Sequence, residues 1–536
     1  MNTSHVFVTM GDLKNIACDA WLLPTDHRPR VSREWTHGIP GLETAVAPER
    51  AKRFYLNEEP AFFPPDWPLN WPLPVLTAVP IDGITSAEQI IPAITHFIQT
   101  AATAVRKRRA SATESVKVRM PSNRPVPLLA LPLFGTGGGG AGPIRGEILT
   151  TLLRVSLDAA TQEGVDVVLV LRDQRDFALA QQLRKRDAGT WGRVLAPALR
   201  NQAIALAKRA RTHQLVPFMG AGVSVSAGAP TWSELISKLA ARVGLSEDEL
   251  AELQKRNVLD QASILRTIFD QRELSLNDAI VDEVTLERYG LAPALLASLP
   301  CRQAITLNYD DLFERACLDA GTPTAVIPTG TSGQRDRWLL KLHGSVTHPE
   351  SIVLTREDYL GFDASRSALS ALVKANLITH HLLFVGFGLT DDHFHEIVHD
   401  VRRAFPDLSS DKGEIATALT LSRDPLDEYA WKDKLTLLPM SDDLDVPAAA
   451  RTLEIFLDAL LAHAVDSHTY LLADGYKEVL THEESSVRAK LLQLGDSLSA
   501  EERASSGGIR VLAMLENLGA ELSDPQSSKT QAKYLR

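Results

Sequence analysis

The sequence predicts a multidomain α/β protein, and three observations predict it. Strand-like apolar runs alternate with segments of helical spacing along most of the chain, the pattern of strands joined by crossover helices. Three glycine-rich turns, at Gly135–Gly140, Gly220–Ser224 and Gly386–Asp391, each follow a strand-like run and precede a helix-like one. The length, 536 residues, suits about two to four domains, and 44% apolar against 23% charged residues is enough to bury sizeable cores.

Three parts follow from the pattern. In the first, 1–188, His5–Met10, Ala20–Pro24, Val126–Phe134 and Asp166–Leu171 read as strands, and Ala87–Arg106 and Pro143–Ala160 as helices. Asn57–Pro80 holds many prolines together with Trp67 and Trp71. A proline cannot donate to a sheet ladder, so this stretch reads as irregular surface structure or an insertion, not a central strand. The basic run Arg106–Arg109 lies among small and polar residues and reads as a solvated loop. Asp187–Arg211 is a helical connection, with 189–204 as the linker.

The second part, 205–465, has strand candidates at Leu215–Met219, Ala304–Leu307, Trp338–Leu342, Ser351–Leu354, His381–Val385 and Ile415–Leu421. Ser233–Pro300 has helical spacing and few strand signals, so it reads as a mostly helical insertion. The third part, 466–536, is helical and polar, and Asp524–Arg536 has the composition of a disordered end. No internal repeat or long low-complexity tract is visible.

Composition excludes several classes. The net charge is −11, which argues against a general nucleic-acid binder, whose affinity rests on clustered Lys and Arg. Cys18, Cys301 and Cys317 form no CxxC pair, and three thiolates cannot build a four-thiolate zinc site. So few cysteines suit a reducing compartment. Met1–Met10 lacks the features of a signal peptide, and no apolar run approaches the ~20 residues that span a bilayer. The expectation is a cytoplasmic protein with no membrane contact.

The glycine turns share one piece of physics. Glycine lets the backbone approach a phosphate closely, and a helix N-terminus offers N–H groups and a positive dipole end to an anion. Singly each turn is weak evidence. Gly135–Gly140 fits GxGxxG, but the next strand ends near Asp173, more than 30 residues on, too far for the dehydrogenase pattern. None of the three carries the Lys-Ser/Thr of a P-loop, and Gly222–Ser226 is not GxSxG. The second part adds Thr306-Leu307-Asn308-Tyr309-Asp310 and Lys341-Leu342-His343-Gly344-Ser345 after two further strands. Open α/β sheets bind ligands outside the carboxyl ends of their strands. Four polar clusters at four strand ends therefore point to one crevice, although each alone would pass for a cap or turn.

These four motifs, Gly220-Ala-Gly-Val-Ser-Val-Ser-Ala-Gly-Ala-Pro230-Thr-Trp232, Thr306-Leu-Asn308-Tyr-Asp310, Lys341-Leu-His343-Gly344 and Gly386-Phe-Gly388-Leu-Thr-Asp391, resemble the sirtuin family in order and spacing. The resemblance covers 205–465 and is closest to the sirtuin-like domains of bacterial defence proteins, which cleave NAD. It implies a Rossmann-like, sirtuin-type parallel sheet with NAD as substrate and no metal. Gly220, Ala221, Gly222 and Ser224 would wrap the pyrophosphate, with Trp232 in the same stretch. Asn308 and Asp310 would hold the ribose and carboxamide, and His343 would be the general base. Gly386, Gly388 and Asp391 would contact the adenosine half. Protein-deacylating sirtuins carry a four-cysteine zinc module that this chain cannot build, and their first motif continues Pro-Asp-Phe-Arg where this one reads Pro230-Thr231-Trp232-Ser233. The NAD site is kept better than the peptide site, which favours an NAD hydrolase over a deacylase.

The chemistry is consistent with those residue types. Breaking the N-glycosidic bond releases neutral nicotinamide and leaves an oxocarbenium-like ribose. Asn308 can position the ribose or a water, and His343 can take a proton near neutral pH. A positioned base is typically worth ~10²–10⁴ in rate.

The first part resembles a macro domain, the ADP-ribose-binding α/β module, through Gly11-Asp12-Leu13, Cys18-Asp19-Ala20-Trp21-Leu22 and Leu131-Pro-Leu-Phe-Gly135-Thr-Gly137-Gly138. The resemblance implies Asp12 at an adenine, and Gly135, Thr136, Gly137 and Gly138 at a distal phosphate and ribose. Where that family has Asn-Ala-Ala-Asn, this chain has Leu23-Pro24-Thr25-Asp26, a departure that argues against hydrolysis of ADP-ribosyl groups and leaves nucleotide sensing and a structural role as the two readings. The expectation is an NAD hydrolase that depletes NAD in antiviral defence. It would be a homo-oligomer with an ADP-ribose-like ligand on its N-terminal domain, and a defence-system partner or phage trigger. The alternatives are an NAD-dependent deacylase and a non-enzymatic NAD or ADP-ribose sensor.

Overall fold

The computed structural model describes residues 4–25, 31–80, 82–112, 122–137, 139–187, 189–330, 336–389, 391–404, 416–442 and 445–521. Its first sheet contains β1 (Val6–Met10), β2 (Ala20–Thr25), β3 (Ala61–Phe62), β4 (Leu73–Ala78), β5 (Leu128–Pro132) and β6 (Asp166–Leu171). Their order is β1-β6-β5-β2-β4-β3, parallel except for the short edge strand β3. β1, β5 and β6 are buried along their whole length, as their continuous apolar sequences require of strands covered on both faces. Helices Ile91–Ser111 and Arg145–Glu163 run between successive strands as the alternating pattern requires.

The second sheet is all parallel: β7 (Leu215–Met219), β8 (Gln303–Thr306), β9 (Ala325–Ile327), β10 (Trp338–Lys341), β11 (His381–Val385), β12 (Ala416–Ser422) and β13 (Thr436–Ser441). The order is β13-β12-β11-β7-β8-β10-β9. The chain leaves β7 for β8 on one side and returns to β11 on the other. The carboxyl end of β7 is thus the point where the winding reverses, which is where doubly wound sheets open a ligand crevice.

The expected helical insertion is present as five helices: Trp232–Arg242, Glu247–Gln254, Val258–Gln271, Leu276–Val284 and Leu291–Ala297. The first four pack round an apolar cluster of their own, centred on Leu239, Leu265, Phe269 and Ile280. The C-terminal part is helical over His482–Ser497, Ala500–Ala504 and Ser506–Asn517. The expected disorder of Asp524–Arg536 lies outside the described residues, as do Ile415, Asp26 and Thr390. No helix among the described residues is long and apolar enough to cross a membrane.

Three expectations are corrected. Asn57–Pro80 is not wholly irregular, because it supplies β4, which sits between β2 and β3. Leu73 N–H donates to Asp19 across the β2 side. Alternation then turns the Pro74 nitrogen to the other side, beyond the two residues of β4 that β3 pairs, Leu76 and Thr77. The missing donor leaves no gap in the ladder.

Arg106–Arg109 is not a solvated loop but the end of helix Ile91–Ser111. Arg106 pairs with Glu163 at 2.7 Å, Arg109 with Asp19 at 2.7 Å, and Arg108 donates to the carbonyls of Trp67, Pro68 and Trp71. Ser351–Leu354 is not a strand. Ile352, Val353 and Leu354 are apolar because they are buried, between the insertion's core and the core of the second sheet.

Candidate active site

All four motifs of the second part meet at the carboxyl end of the sheet. The turn after β7 and the turn after β11 touch glycine to glycine. Gly220 N–H donates to Val385 O at 3.0 Å and Gly222 N–H to Gly386 O at 2.9 Å. A Cβ on Gly220 would stand 2.5 Å from Gly386 O, and one on Gly222 would stand 2.7 Å from Gly386 Cα. Phe387 anchors the second loop among Phe218, Phe384 and Phe394 at ring distances of 5.1–5.6 Å.

The turn after β8 crosses beneath the first loop. Thr306 Oγ1 donates to Met219 O and accepts from Asn308 N–H, so the strand end fixes where Asn308 starts. Asn308 Nδ2 donates to Gly220 O at 3.1 Å, and Ser224 Oγ donates to Asp310 Oδ2 at 3.0 Å. Asp310 is buried, and burial pushes its carboxyl up against the opposing pull of the Lys341 ammonium. Lys341 is itself buried, donating to Tyr309 O, to Asp310 O and to Glu314 Oε1 at 2.8 Å. It holds the Asn308–Asp310 turn by its backbone.

The turn after β10 carries His343, which is 5% exposed. Gly344 at φ +94 has no room for a side chain beside Ser351 O, and Val353 N–H donates to His343 O at 2.9 Å. His343 Nε2 lies 3.8 Å from Asp391 Oδ2, and its ring meets Tyr359 edge-on at 5.3 Å. Tyr359 O–H donates to Asp391 Oδ2 at 2.8 Å.

These groups line one cavity of about 400 Å³. Of the sequence candidates, Gly220, Ala221, Ser224, Trp232, Asn308, Asp310, His343, Gly386, Gly388 and Asp391 all line it. Gly222 does not line it and packs against Gly386 instead. Asp391 stands beside the imidazole. Trp232 Nε1 is a buried ring donor with no acceptor among the described residues. Sequence reasoning missed Tyr359 and the apolar wall that the insertion supplies through Leu235, Val258, Leu259 and Val284. Those five sit on helices or at helix ends with no motif of their own. Their chemistry depends on a tertiary approach that a one-dimensional pattern does not carry.

A second cavity, about 870 Å³, opens at the carboxyl end of the first sheet. Gly135 and Gly137 line it with Gly11, Arg145 and Arg172. Gly138 lies outside the described residues. Asp12 and Thr136 are close by but turned to protein partners. Asp12 pairs with Arg172 at 2.9 Å and caps Lys14 N, and Thr136 Oγ1 accepts from Arg145. Arg145 in turn is paired with Asp176 at 2.7 Å.

With the doubly wound sheet and its crevice in view, residues 302–437 match the family described as SIR2-like domain. Among its relatives is a protein named NAD(+) hydrolase ThsA from Bacillus cereus (strain MSX-D12), 26% identical over 290 residues, 52% of this chain and 56% of that one. A protein of the same name from Enterococcus faecium is 28% identical over 34% of this chain and 39% of its own length. Defense-associated sirtuin 2 from Bacillus subtilis is 30% identical over 37% of this chain and 20% of that protein. The match thus spans about half the length of the first relative and less of the others. A solved macrodomain mutant from Oceanobacillus iheyensis aligns to 34% of this chain and 93% of its own, at 17% identity and a TM-score of 0.27.

Proposed function

We propose that the chain is an NAD hydrolase that cleaves NAD to ADP-ribose and nicotinamide. The carrying observation is that Asn308, His343 and two interlocked glycine loops open into one cavity at the reversal point of the sheet. Gly220, Ala221 and Gly386 present backbone to the pyrophosphate, and the two glycines let the loops that carry it lie against each other. Asn308 orients the nicotinamide ribose and the attacking water. Water adds to C1′ as the C1′–N bond breaks, the bonding pair leaves with nicotinamide and neutralises its ring, and His343 takes the water's proton. The apolar wall from the insertion excludes bulk water.

The relatives' names support NAD hydrolysis and a part in defence; the reading we propose adds that the defence is antiviral, acts in the cytoplasm and works by depletion of NAD. The remaining parts of the reading are a homo-oligomer and a defence-system partner or phage trigger. The units are 1–188, macro-like and holding an ADP-ribose-like ligand, a linker at 189–204, a catalytic unit at 205–465 and a helical end at 466–536. The test is nicotinamide release from NAD by the purified protein. Wild type should release it without any acylated peptide, and His343→Ala and Asn308→Ala, folded, should each lose about 10²-fold or more. A folded His343→Ala with full activity would sink the mechanism. Release only with an acyl-lysine peptide would make the chain a deacylase, and tight binding with no product would make it a sensor.

A further inference from the structure

Resting on that reading, we infer that Asp391 and Tyr359 are positioning residues for His343. They form a carboxylate pair with the base that favours the imidazolium produced when water gives up its proton. The geometry points to this in three ways.

First, Asp391 Oδ2 is 3.8 Å from His343 Nε2, and both side chains are nearly buried, at 11% and 6% exposure. A full charge formed there has little water to stabilise it, so a fixed carboxylate at that distance matters. An opposite charge within about 4–6 Å typically moves a titrating group by about 1–3 pH units.

Second, the carboxylate is held in place. Its Oδ1 accepts from Phe394 N–H at 3.0 Å, at the start of helix Asp392–Ala404, where the helix dipole favours a negative charge. Its Oδ2 accepts from Tyr359 O–H at 2.8 Å. The Tyr359 ring also packs edge-on against the imidazole. One tyrosine therefore orients both members of the pair, and it is itself carried by the capped helix Arg356–Leu360.

Third, several other charged groups among the described residues of this region are held by partners away from the imidazole. Asp310 accepts from Ser224 and Leu312. Asp358 accepts from the N–H groups of Leu354 and Thr355 and pairs with Arg266 at 3.2 Å. Arg366 donates to the carbonyls of Leu342 and Ser351, and Lys341 is paired with Glu314. Tyr309 donates to Val353 O, and burial pushes its phenol up, so it stays neutral. Asp391, by contrast, places an oxygen 3.8 Å from His343 Nε2.

Protons balance across the step. Water loses one proton to His343 as its oxygen bonds to C1′, the imidazolium sits against the Asp391 carboxylate, and the proton then leaves to solvent. The net reaction is NAD⁺ and water giving ADP-ribose, nicotinamide and one proton.

The test is Asp391→Asn, which keeps an oxygen for the helix cap and removes the charge. The His343 ring proton, assigned by its loss in His343→Ala, is titrated by NMR in histidine-labelled full-length protein. Its midpoint should fall by about 1–3 pH units in Asp391→Asn. The acid limb of kcat/KM against pH for NAD cleavage should move down by the same amount. The plateau above it should fall about ten-fold because a weaker base accepts the proton less readily, with KM for NAD within about two-fold. Tyr359→Phe should lower kcat in the same sense with KM again unchanged. An unmoved His343 midpoint in folded Asp391→Asn overturns the inference and leaves Asp391 a helix cap. The titration does not require turnover. A wild type that releases no nicotinamide would therefore defeat the proposed function, while the midpoint shift would still decide the pairing of Asp391 with His343.

Discussion

The interlock of the two glycine loops sets a quantitative expectation at Gly386. This residue sits at φ +62, and a Cβ there would lie 2.5 Å from Val223 N, 2.7 Å from Gly222 C and 2.8 Å from Gly222 Cα. All three are backbone atoms, so no side-chain rotation can relieve the overlap. Gly386→Ala therefore bears two costs: about 1–2 kcal/mol for a left-handed alanine and about 1–3 kcal/mol for forcing packed backbone apart. The total is about 2–5 kcal/mol. Gly222→Ala meets Gly386 Cα at 2.7 Å but has no left-handed strain, so only the second cost of about 1–3 kcal/mol applies. Gly137→Ala is the control, because its Cβ would meet nothing within 4 Å. It should be neutral, or stabilising by up to about 1 kcal/mol through the unfolded chain. Urea unfolding and nicotinamide release should rank the three as Gly386 worst, then Gly222, then Gly137 indistinguishable from wild type. A Gly386→Ala protein with wild-type stability and turnover would refute the interlock.

Turnover should survive EDTA, because proton transfer to His343 and departure of neutral nicotinamide call for no Lewis acid; loss in EDTA restored by zinc or magnesium would refute this. His463 is held down to about 4, first by burial and then by Lys185 and Arg184 nearby. The unfolded chain, titrating near ~6.5, therefore binds a proton that the fold refuses as pH drops from about 6.5 towards 4, and stability falls across that window. The loss is about 1–2 kcal/mol after allowing for partial exposure. His463→Gln should flatten it, and parallel pH curves for the two proteins would refute the assignment. If residues 1–188 gate the catalytic unit through a nucleotide in the first cavity, Gly137→Glu, which puts a carboxylate there, should change activation by a trigger about 5- to 150-fold. The chemistry of the His343 site should not change, and equal activation with and without the glutamate would remove the N-terminal cavity from the regulation.

How much was legible follows from what each signal encodes. β6, β7 and β11 fall on the expected segments end for end, because fully buried strands write themselves as unbroken apolar runs bounded by turn residues. The four motifs were legible because they are short contiguous runs at the ends of strand-like segments, in an order and spacing that resemble a known family, and because glycine is required where the two loops touch. β3 and β9, with two and three residues, are too short to carry a period. β4 was hidden by its prolines, since the side on which a missing N–H falls is a property of register. Ser351–Leu354 misled in the opposite sense: its residues are buried by two cores, and burial without a ladder partner looks the same in sequence as a strand. Tyr359 was illegible because its value lies in reaching Asp391, 32 positions further along the chain.

The division into a first and a second part, plain in sequence, is crossed by charge in the folded chain. Helix Val446–Ala464 follows the last strand of the second sheet, yet its acidic residues answer to the first. Asp458, fully buried, accepts from Arg184, from His5 at 2.8 Å and from Trp191 at 3.0 Å. Burial alone would raise its carboxyl, but Arg184 and His5 hold it down to about 2. Glu454 lies 3.0 Å from Arg124, and Arg451 grips Asp166 at 2.7 Å. Separating the two sheets would strand these charges without partners, which costs several kcal/mol for each, so neither part is expected to behave as a free unit. The same region joins the two cavities. Tyr289 O–H accepts from Asp12 N–H and donates to Asp319 at 2.9 Å. The next residue, Gly290, packs so closely on Ser226 of the first glycine loop that a Cβ would overlap its Oγ. Asn123 N–H donates to the same Ser226 carbonyl at 3.1 Å. A ligand beside Gly11 can alter the catalytic loop only if it binds the two arrangements of such a contact unequally. Tyr289 and Ser226 offer that difference a path, because Tyr289 stands against Gly11 at the wall of one cavity and its neighbour Gly290 packs on Ser226 of the loop at the other.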